Sequence, residues 1–370
     1  MHNMRYVVRI IATAMTVLIL LVGCWKSESM ATPVPATATR IALEPTHTPR
    51  LPPTSVLPTE AAVLPAPATI PVLDVIAVDA VGQIDHLLTL SGHRDKVYTL
   101  DFSADGAYLA SSSSDREIRL WDVMNGQLVH TFNTSVAVYN NIAFSPNGSL
   151  LACADTIWDV QSRQVVQRPE WGGGAVAFSA DGSLLAIAPE GQPIVLWDVA
   201  SGQLVRTFDD PAENIARSLA FSPDSTLLAA GGNNNIVRLW DVASGRIAHT
   251  IQHNTEGQIL DHILDLAFSP DGRVFVSGGT DDMARLWDVG SWQVIHELSV
   301  GSAPTGLAIS PDGAILASSG PGLQLWDVES GKLLRTLPHS DLITVAFSPD
   351  GTLLASAGYD QQIYLWGITR

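Results

Sequence analysis

Apolar residues along this chain fall into short runs broken by turn residues, without helical stripes. Residues 343–348, ITVAFS, are β-branched and aromatic and read as a strand. Pro349-Asp350-Gly351 follows, where Pro presets φ and Gly tolerates a positive φ, so the chain turns. TLLASAG (352–358) reads as the return strand, Tyr359-Asp360 opens another turn, and QIYLWG (362–367) reads as a third strand. A fourth strand type reads SGQLVRTF (201–208) or SGKLLRTL (330–337). Two stretches depart from this pattern. Ile10–Val22 is a nearly unbroken apolar run, shorter than the about 20 residues a membrane-spanning helix needs. Residues 26–73 lack apolar periodicity and are rich in Pro, Thr and Ala, which excludes helix and favours extended backbone.

The strand–turn phrase recurs. It reads LDFSADG (100–106), IAFSPNG (142–148), VAFSADG (176–182), LAFSPDS (219–225), LAFSPDG (266–272), LAISPDG (307–313) and VAFSPDG (345–351). A Trp-Asp pair follows each of the first six, at 121–122, 158–159, 197–198, 240–241, 287–288 and 326–327, with Trp366-Gly367 in the seventh. Successive tryptophans lie 37 to 47 residues apart. This period and ending resemble WD repeats, each a four-stranded propeller blade. The resemblance covers residues 84–370 and implies an all-β, seven-bladed β-propeller. The seventh copy has no fourth strand after Trp366. IDHLLTL (84–90) resembles the fourth strands, with Thr89-Leu90 matching Thr336-Leu337, and is expected to complete the last blade and close the ring.

The same resemblance assigns a buried His–Ser–Asp–Trp hydrogen-bond network. His93 (after Gly92), Ser111, Asp115 and Trp121 match it in blade 1. Ser277, Asp281 and Trp287 match it in blade 5; Ser356, Asp360 and Trp366 do so in blade 7, with His339 displaced by one residue. Blade 4 has Ala230 and Asn234 at the Ser and Asp positions, and blades 2, 3 and 6 are expected to lack the network. A Ser–His–Asp set also invites a hydrolytic reading. Its partial recurrence from blade to blade, with the Ser inside a strand and off any Gly-x-Ser-x-Gly elbow, favours the structural one.

Composition changes the picture at the N-terminus. Arg5 and Arg9 precede the apolar run, which ends in Leu21-Val22-Gly23-Cys24. That tetrad resembles the lipobox of bacterial lipoproteins, which implies cleavage after residue 23 and lipidation of Cys24; plain signal-peptide cleavage or an uncleaved anchor are the alternatives. Residues 1–23 are then a signal peptide, 24–75 a stalk reaching on the order of 140 Å when extended, and 76–370 the propeller. The expected location is the extracytoplasmic side of a bacterial membrane. The net charge of −17, from 20 Lys and Arg against 37 Asp and Glu, repels phosphate backbones and excludes nucleic acid as a natural partner.

No metal-ligand or phosphate-loop motif occurs, no cofactor is expected, and one Asp per turn is a poor calcium set. Cys153 reads as a small buried hydrophobe. Recognition is therefore expected on a rim of the ring. The positions four residues before the repeated Phe or Ile mark it: Tyr98, Asn140, Gly174, Arg217, Leu264, Thr305 and Ile343. Trp171, in EWGGG (170–174), is either a further exposed anchor or a cover for the short second blade. The reading that results is a monomeric, lipid-anchored platform for a protein or peptide partner. The alternatives are a propeller enzyme of hydrolase or lactonase type and a sensor ectodomain on an uncleaved anchor.

Overall fold

A computed structural model describes residues 69–134, 142–153, 155–169, 174–209, 216–254, 262–339 and 341–370. Cys24, Asn140 and Trp171 lie outside the described residues.

Seven antiparallel sheets form, six of four strands and one of five. Their innermost strands are Val97–Phe102, Ala143–Phe144, Ala175–Phe178, Ala216–Phe221, Ile263–Phe268, Leu307–Ile309 and Leu342–Phe347. Each touches the innermost strand of the next blade, and the last touches the first, so the ring is closed. We call the face where these strands begin the upper face. The lower face carries the turns that follow them.

The second and third strands of a blade are covered on both sides, and their sequences show it. Leu353–Gly358 is buried along its whole length, as are Ile118–Trp121. Outside blade 2, the fourth strand is exposed or half-buried except at one inward position, held by Phe132, Phe208, Ile251, Leu298, Leu337 or Leu90. That residue reaches across to the next blade: the Phe132 ring centroid is 5.2 Å from Trp158, and Phe208 is 5.8 Å from Trp240. The cores therefore lie between blades. One unites Ile118, Leu120 and Phe132 of blade 1 with Leu151, Cys153 and Trp158 of blade 2. Burial of each such large side chain stabilises by about 1.5–3 kcal/mol.

The repeated turn is built by its own residues. In blade 7, the Ser348 hydroxyl donates to Asp350 Oδ1 at 2.6 Å and accepts from the Leu353 N–H at 2.9 Å. Gly351 takes a φ of 70° there. Blade 4 places Ser225 at that position, with φ 60°, and its Oγ accepts the Ala180 N–H of blade 3 at 3.0 Å.

Closure uses Asp85–Ser91, paired antiparallel with Gln362–Thr369 in a register that sets Leu90 against Ile363 and Thr89 against Tyr364. Leu90 enters the core between blades 7 and 1. The chain before this strand is also part of the ring. Leu73–Asp74 pairs with Thr369 and Ile368 as a fifth strand. On the lower face the Ile70 N–H donates to the Met124 carbonyl at 2.8 Å, and the Ile76 N–H to the Gly351 carbonyl at 2.9 Å. Ile76, Val81 and Ile84 are buried between blades 6 and 7. The stalk boundary set at residue 75 by composition thus falls inside a strap that belongs to the propeller. Pro-rich composition marks extended backbone, and extended backbone can also pair along a sheet edge.

A chain beginning at residue 84 should melt lower than one beginning at 69, because Ile76 and Val81 together contribute about 3–6 kcal/mol. A chain beginning at 92 also loses the pairing of Gln362–Thr369 and should aggregate on expression. Equal melting temperatures for the chains beginning at 69 and 92, followed by circular dichroism, would contradict strand closure.

Candidate partner-binding face

Blades 1 and 5 hold the complete His–Ser–Asp–Trp network, and blade 7 holds it without a His–Asp hydrogen bond. In blade 1 the Trp121 Nε1–H donates to Ser111 Oγ at 2.9 Å, Ser111 Oγ lies 2.8 Å from His93 Nε2, and His93 Nδ1 lies 2.9 Å from Asp115 Oδ2. Asp115 also accepts the Arg94 and Glu117 N–H groups. Burial holds the His93 pKa below its ordinary value against the pull of Asp115. Burial works against the Asp115 carboxylate, but the Arg94 N–H and His93 bonds outweigh it and hold its pKa low. A neutral imidazole fits both: Trp N–H to Ser oxygen, Ser O–H to Nε2, Nδ1–H to carboxylate.

Blade 5 repeats the chain with Trp287, Ser277 and Asp281, and the histidine is His253, whose Nδ1 faces Ser277 at 2.8 Å and whose Nε2 faces Asp281 at 3.2 Å. His253 escapes the motif because no Gly precedes it. Arg285 NH1 donates to Asp281 at 2.6 Å, and the Asp281 pKa falls to about 2: burial opposes ionisation, while the His253 and Arg285 bonds favour it more strongly. In blade 7, Trp366 and His339 Nδ1 both meet Ser356 at 2.8 Å. Asp360 stands 3.6 Å from His339 Nε2 and accepts the Tyr364 hydroxyl at 2.9 Å. Blade 6 lacks the histidine and the aspartate, as expected, and keeps only the Trp–Ser bond. Trp326 Nε1 donates to Ser318 Oγ at 3.0 Å, across a turn two residues shorter, which hides Ser318 from a search at fixed spacing.

Ser111, Ser277 and Ser356 are wholly buried, and each Oγ is engaged by both Trp and His. In this arrangement no solvent-borne substrate reaches them. Burial also pushes the Cys153 thiol up, and it donates to Asp155 Oδ1 at 2.9 Å. Among the described residues no group of three His, Cys, Asp or Glu side chains is placed to hold a metal. No helix among them is long and apolar enough to cross a membrane.

The innermost strands carry a second set of polar contacts, between blades. Asp101 Oδ2 of blade 1 accepts the Phe144 N–H of blade 2 at 2.7 Å. Asp265 of blade 5 accepts the Ser218 hydroxyl of blade 4 at 3.0 Å and the Leu307 N–H of blade 6 at 2.8 Å. The Thr305 hydroxyl of blade 6 donates to the Ile343 carbonyl of blade 7 at 2.7 Å. Burial raises Asp101 to about 7 and Asp265 to about 6. An acid inside an apolar strand, as in TLDF and ILDL, was the sequence signal for both.

Above this ring the channel opens into a cavity of about 650 Å³ on the upper face. Its wall includes Tyr98, Arg217, Leu264, Thr305 and Ile343, the starts of five innermost strands, with Asp265, Asp341 and Tyr359 beside them. Tyr98 and Leu264 are half-buried and Arg217 is exposed. Ile343 is only 6% exposed, so it forms wall rather than a projecting anchor. Arg217 is drawn toward its own blade, where its Nε donates to Asn233 Oδ1 at 2.8 Å. Lys96 Nζ sits 4.4 Å over the Tyr359 ring.

The WD domain, G-beta repeat family matches residues 84–122, 202–241, 249–288 and 331–367. Each matched segment joins the fourth strand of one blade to the first three of the next, so the sequence repeat and the blade are out of phase. The protein is a seven-bladed WD-repeat β-propeller. The propeller is similar to the WD repeat domain-containing protein 83 homolog of Dictyostelium discoideum, 28% identical over 136 residues, 34% of this chain and 42% of that protein. It is 33% identical over 129 residues to an uncharacterized WD repeat-containing protein of Synechocystis, 33% of this chain and 37% of the other. A guanine nucleotide-binding protein subunit beta of Oryza sativa subsp. indica is 26% identical over 136 residues, 32% and 36% of the two chains. The WD-repeat chain aligns with about two-fifths of the length of these relatives.

The propeller's Asp101 supplies a pH test. Its folded pKa lies above the unfolded value, so its stabilisation is complete below about pH 4 and is lost as pH rises through about 7. Asp101→Asn keeps the acceptor for the Phe144 N–H and removes the titration. The melting temperature of the wild type relative to this variant should rise as pH falls from 8 to 5. Parallel profiles would contradict the buried carboxyl.

Proposed function

We propose that this propeller is a lipid-anchored, extracytoplasmic platform for protein–protein interaction at a bacterial cell envelope, and that the upper mouth is its recognition face. One observation carries the reading. The blades repeat their turns and cores, whereas the residues around the upper cavity differ in each of the five blades that line it: Tyr98, Arg217, Leu264, Thr305, Ile343. A rigid frame with a variable rim is the arrangement recognition uses. Tyr98 and Leu264 supply half-buried aromatic and aliphatic area of the kind that anchors interfaces.

The lower face carries the strap, with Ile70 on the Met124 turn and Ile76 on Gly351. The anchor itself rests on Leu21-Val22-Gly23-Cys24. One relative is by its name a subunit of an assembly, which agrees with a binding role. The sealed Ser–His–Asp sets favour binding over hydrolysis.

The test uses the full chain in envelope membranes, with chemical crosslinking and recovery of bound partners. Tyr98→Ala with Leu264→Ala should weaken capture by about 1–4 kcal/mol at unchanged melting temperature, and Cys24→Ser should release the protein from the membrane fraction. Undiminished capture by the double variant removes the upper face, and retention of Cys24→Ser removes the lipid anchor.

A further inference from the structure

Asp265 holds an unusual position in the mouth. It lines the cavity, and its carboxylate accepts three hydrogen bonds, from Ser218 Oγ, the Leu266 N–H and the Leu307 N–H. All three donors are neutral. Among the described residues no cation pairs with it. A carboxylate has about four lone-pair sites, so one acceptor site remains. Arg217, the cation lining the same cavity, is not among the groups that act on the Asp265 carboxyl, and its Nε donates to Asn233. The raised pKa of Asp265 agrees: burial raises it and only hydrogen bonds oppose that rise.

We propose that the mouth takes a lysine or arginine side chain of a polypeptide partner, with its cationic head on Asp265 and its stem between Tyr98 and Tyr359. This rests on the upper face being the recognition face. An incoming cation supplies the counter-charge that the buried carboxylate lacks, and a desolvated pair of this kind favours ionisation of both groups. The aromatic lip suits the same guest. Tyr359 already receives one ammonium, that of Lys96 at 4.4 Å from the ring centroid, and Tyr98 stands in the same wall. A second carboxylate, Asp341, is exposed at the rim. The two cations near the wall are engaged elsewhere, Arg217 with Asn233 and Lys96 with the Tyr359 ring, so the acids set the preference for the guest. A norleucine-like guest would leave Asp265 uncompensated. The net charge of −17 adds long-range attraction for basic segments.

The experiment is calorimetric titration of the full chain with four end-blocked nonapeptides of one Gly/Ser/Ala host sequence, bearing a central Lys, Arg, norleucine or Glu, and with spermidine. The Lys or Arg peptide should bind at least about ten-fold more tightly than the norleucine and Glu peptides, a difference of about 1.4 kcal/mol. Asp265→Asn should reduce that preference to about two-fold or less. Because Asp265 also ties blades 4, 5 and 6, Tyr359→Ala, whose contact across blades is the exposed one with Lys96, serves as the second variant, and it should weaken the Lys and norleucine peptides alike several-fold while the Lys-over-norleucine preference survives. Equal binding of all four peptides, binding of none, or tighter binding of spermidine than of either basic peptide overturns the proposal. If Tyr98→Ala with Leu264→Ala abolishes partner capture while the peptides show no charge preference, the cationic guest is wrong and the recognition face stands. If capture also survives that double variant, both fall.

Discussion

A blade of this propeller is apolar on both faces of its sheet, and no blade can cover its own second face. That constraint decides the rest. Each core lies between two blades, filled from one side by residues such as Ile118 and Phe132 and from the other by Leu151 and Trp158. Seven seams must be filled, and a single open seam would expose two apolar faces to water. The seam between blades 6 and 7 and the seam between 7 and 1 both take side chains from the start of the described chain: Ile76, Val81 and Ile84 in one, Leu90 in the other. Sequence-distant segments thereby lock the ring, which explains why the sequence repeat is out of phase with the blade.

Once the seams are satisfied, the inner ends of the blades are free to vary. The lower end is spent on repeated turns, with Ser348, Asp350 and Gly351 as their pattern, and on the strap. The upper end is where the strands differ. There the inter-blade contacts of Asp265 and Thr305 brace the wall of the cavity, so the groups proposed to meet a partner are held by the frame itself. Bracing by a carboxylate has a chemical consequence that a hydroxyl would not: it places an uncompensated negative charge where a guest enters.

Much of this was legible in the residues. The Ser-Pro-Asp-Gly phrase and the Trp-Asp ending locate every blade because both are local turn and strand chemistry. Thr89-Leu90 betrays the closing strand because it copies Thr336-Leu337. What the sequence hid follows physical lines. The strap at 69–76 looks like stalk because pairing at a sheet edge needs no periodicity. His253 joins the buried network from an altered entry, and the Ser318–Trp326 bond spans a turn of altered length, so fixed spacing misses both. Tyr98, Arg217, Leu264 and Ile343 all sit at the same bulge of their inner strands, and no residue type announces that only Ile343 is buried there. Asp101 and Asp265 stood in plain view as acids within apolar strands, but only the neighbouring blades show which donors they meet.

The central claim is that a seamless ring presents one recognition face, the upper mouth. Hydrogen-exchange mass spectrometry of the full chain, free and bound to its crosslink-identified partner, tests it most directly. The account predicts slow exchange of the inner strands in both states. Added protection on binding should fall on segments 96–99, 264–266, 341–343 and 359–361. Added protection centred instead on the lower turns, at 103–107 and 348–352, with the mouth unchanged, would contradict it.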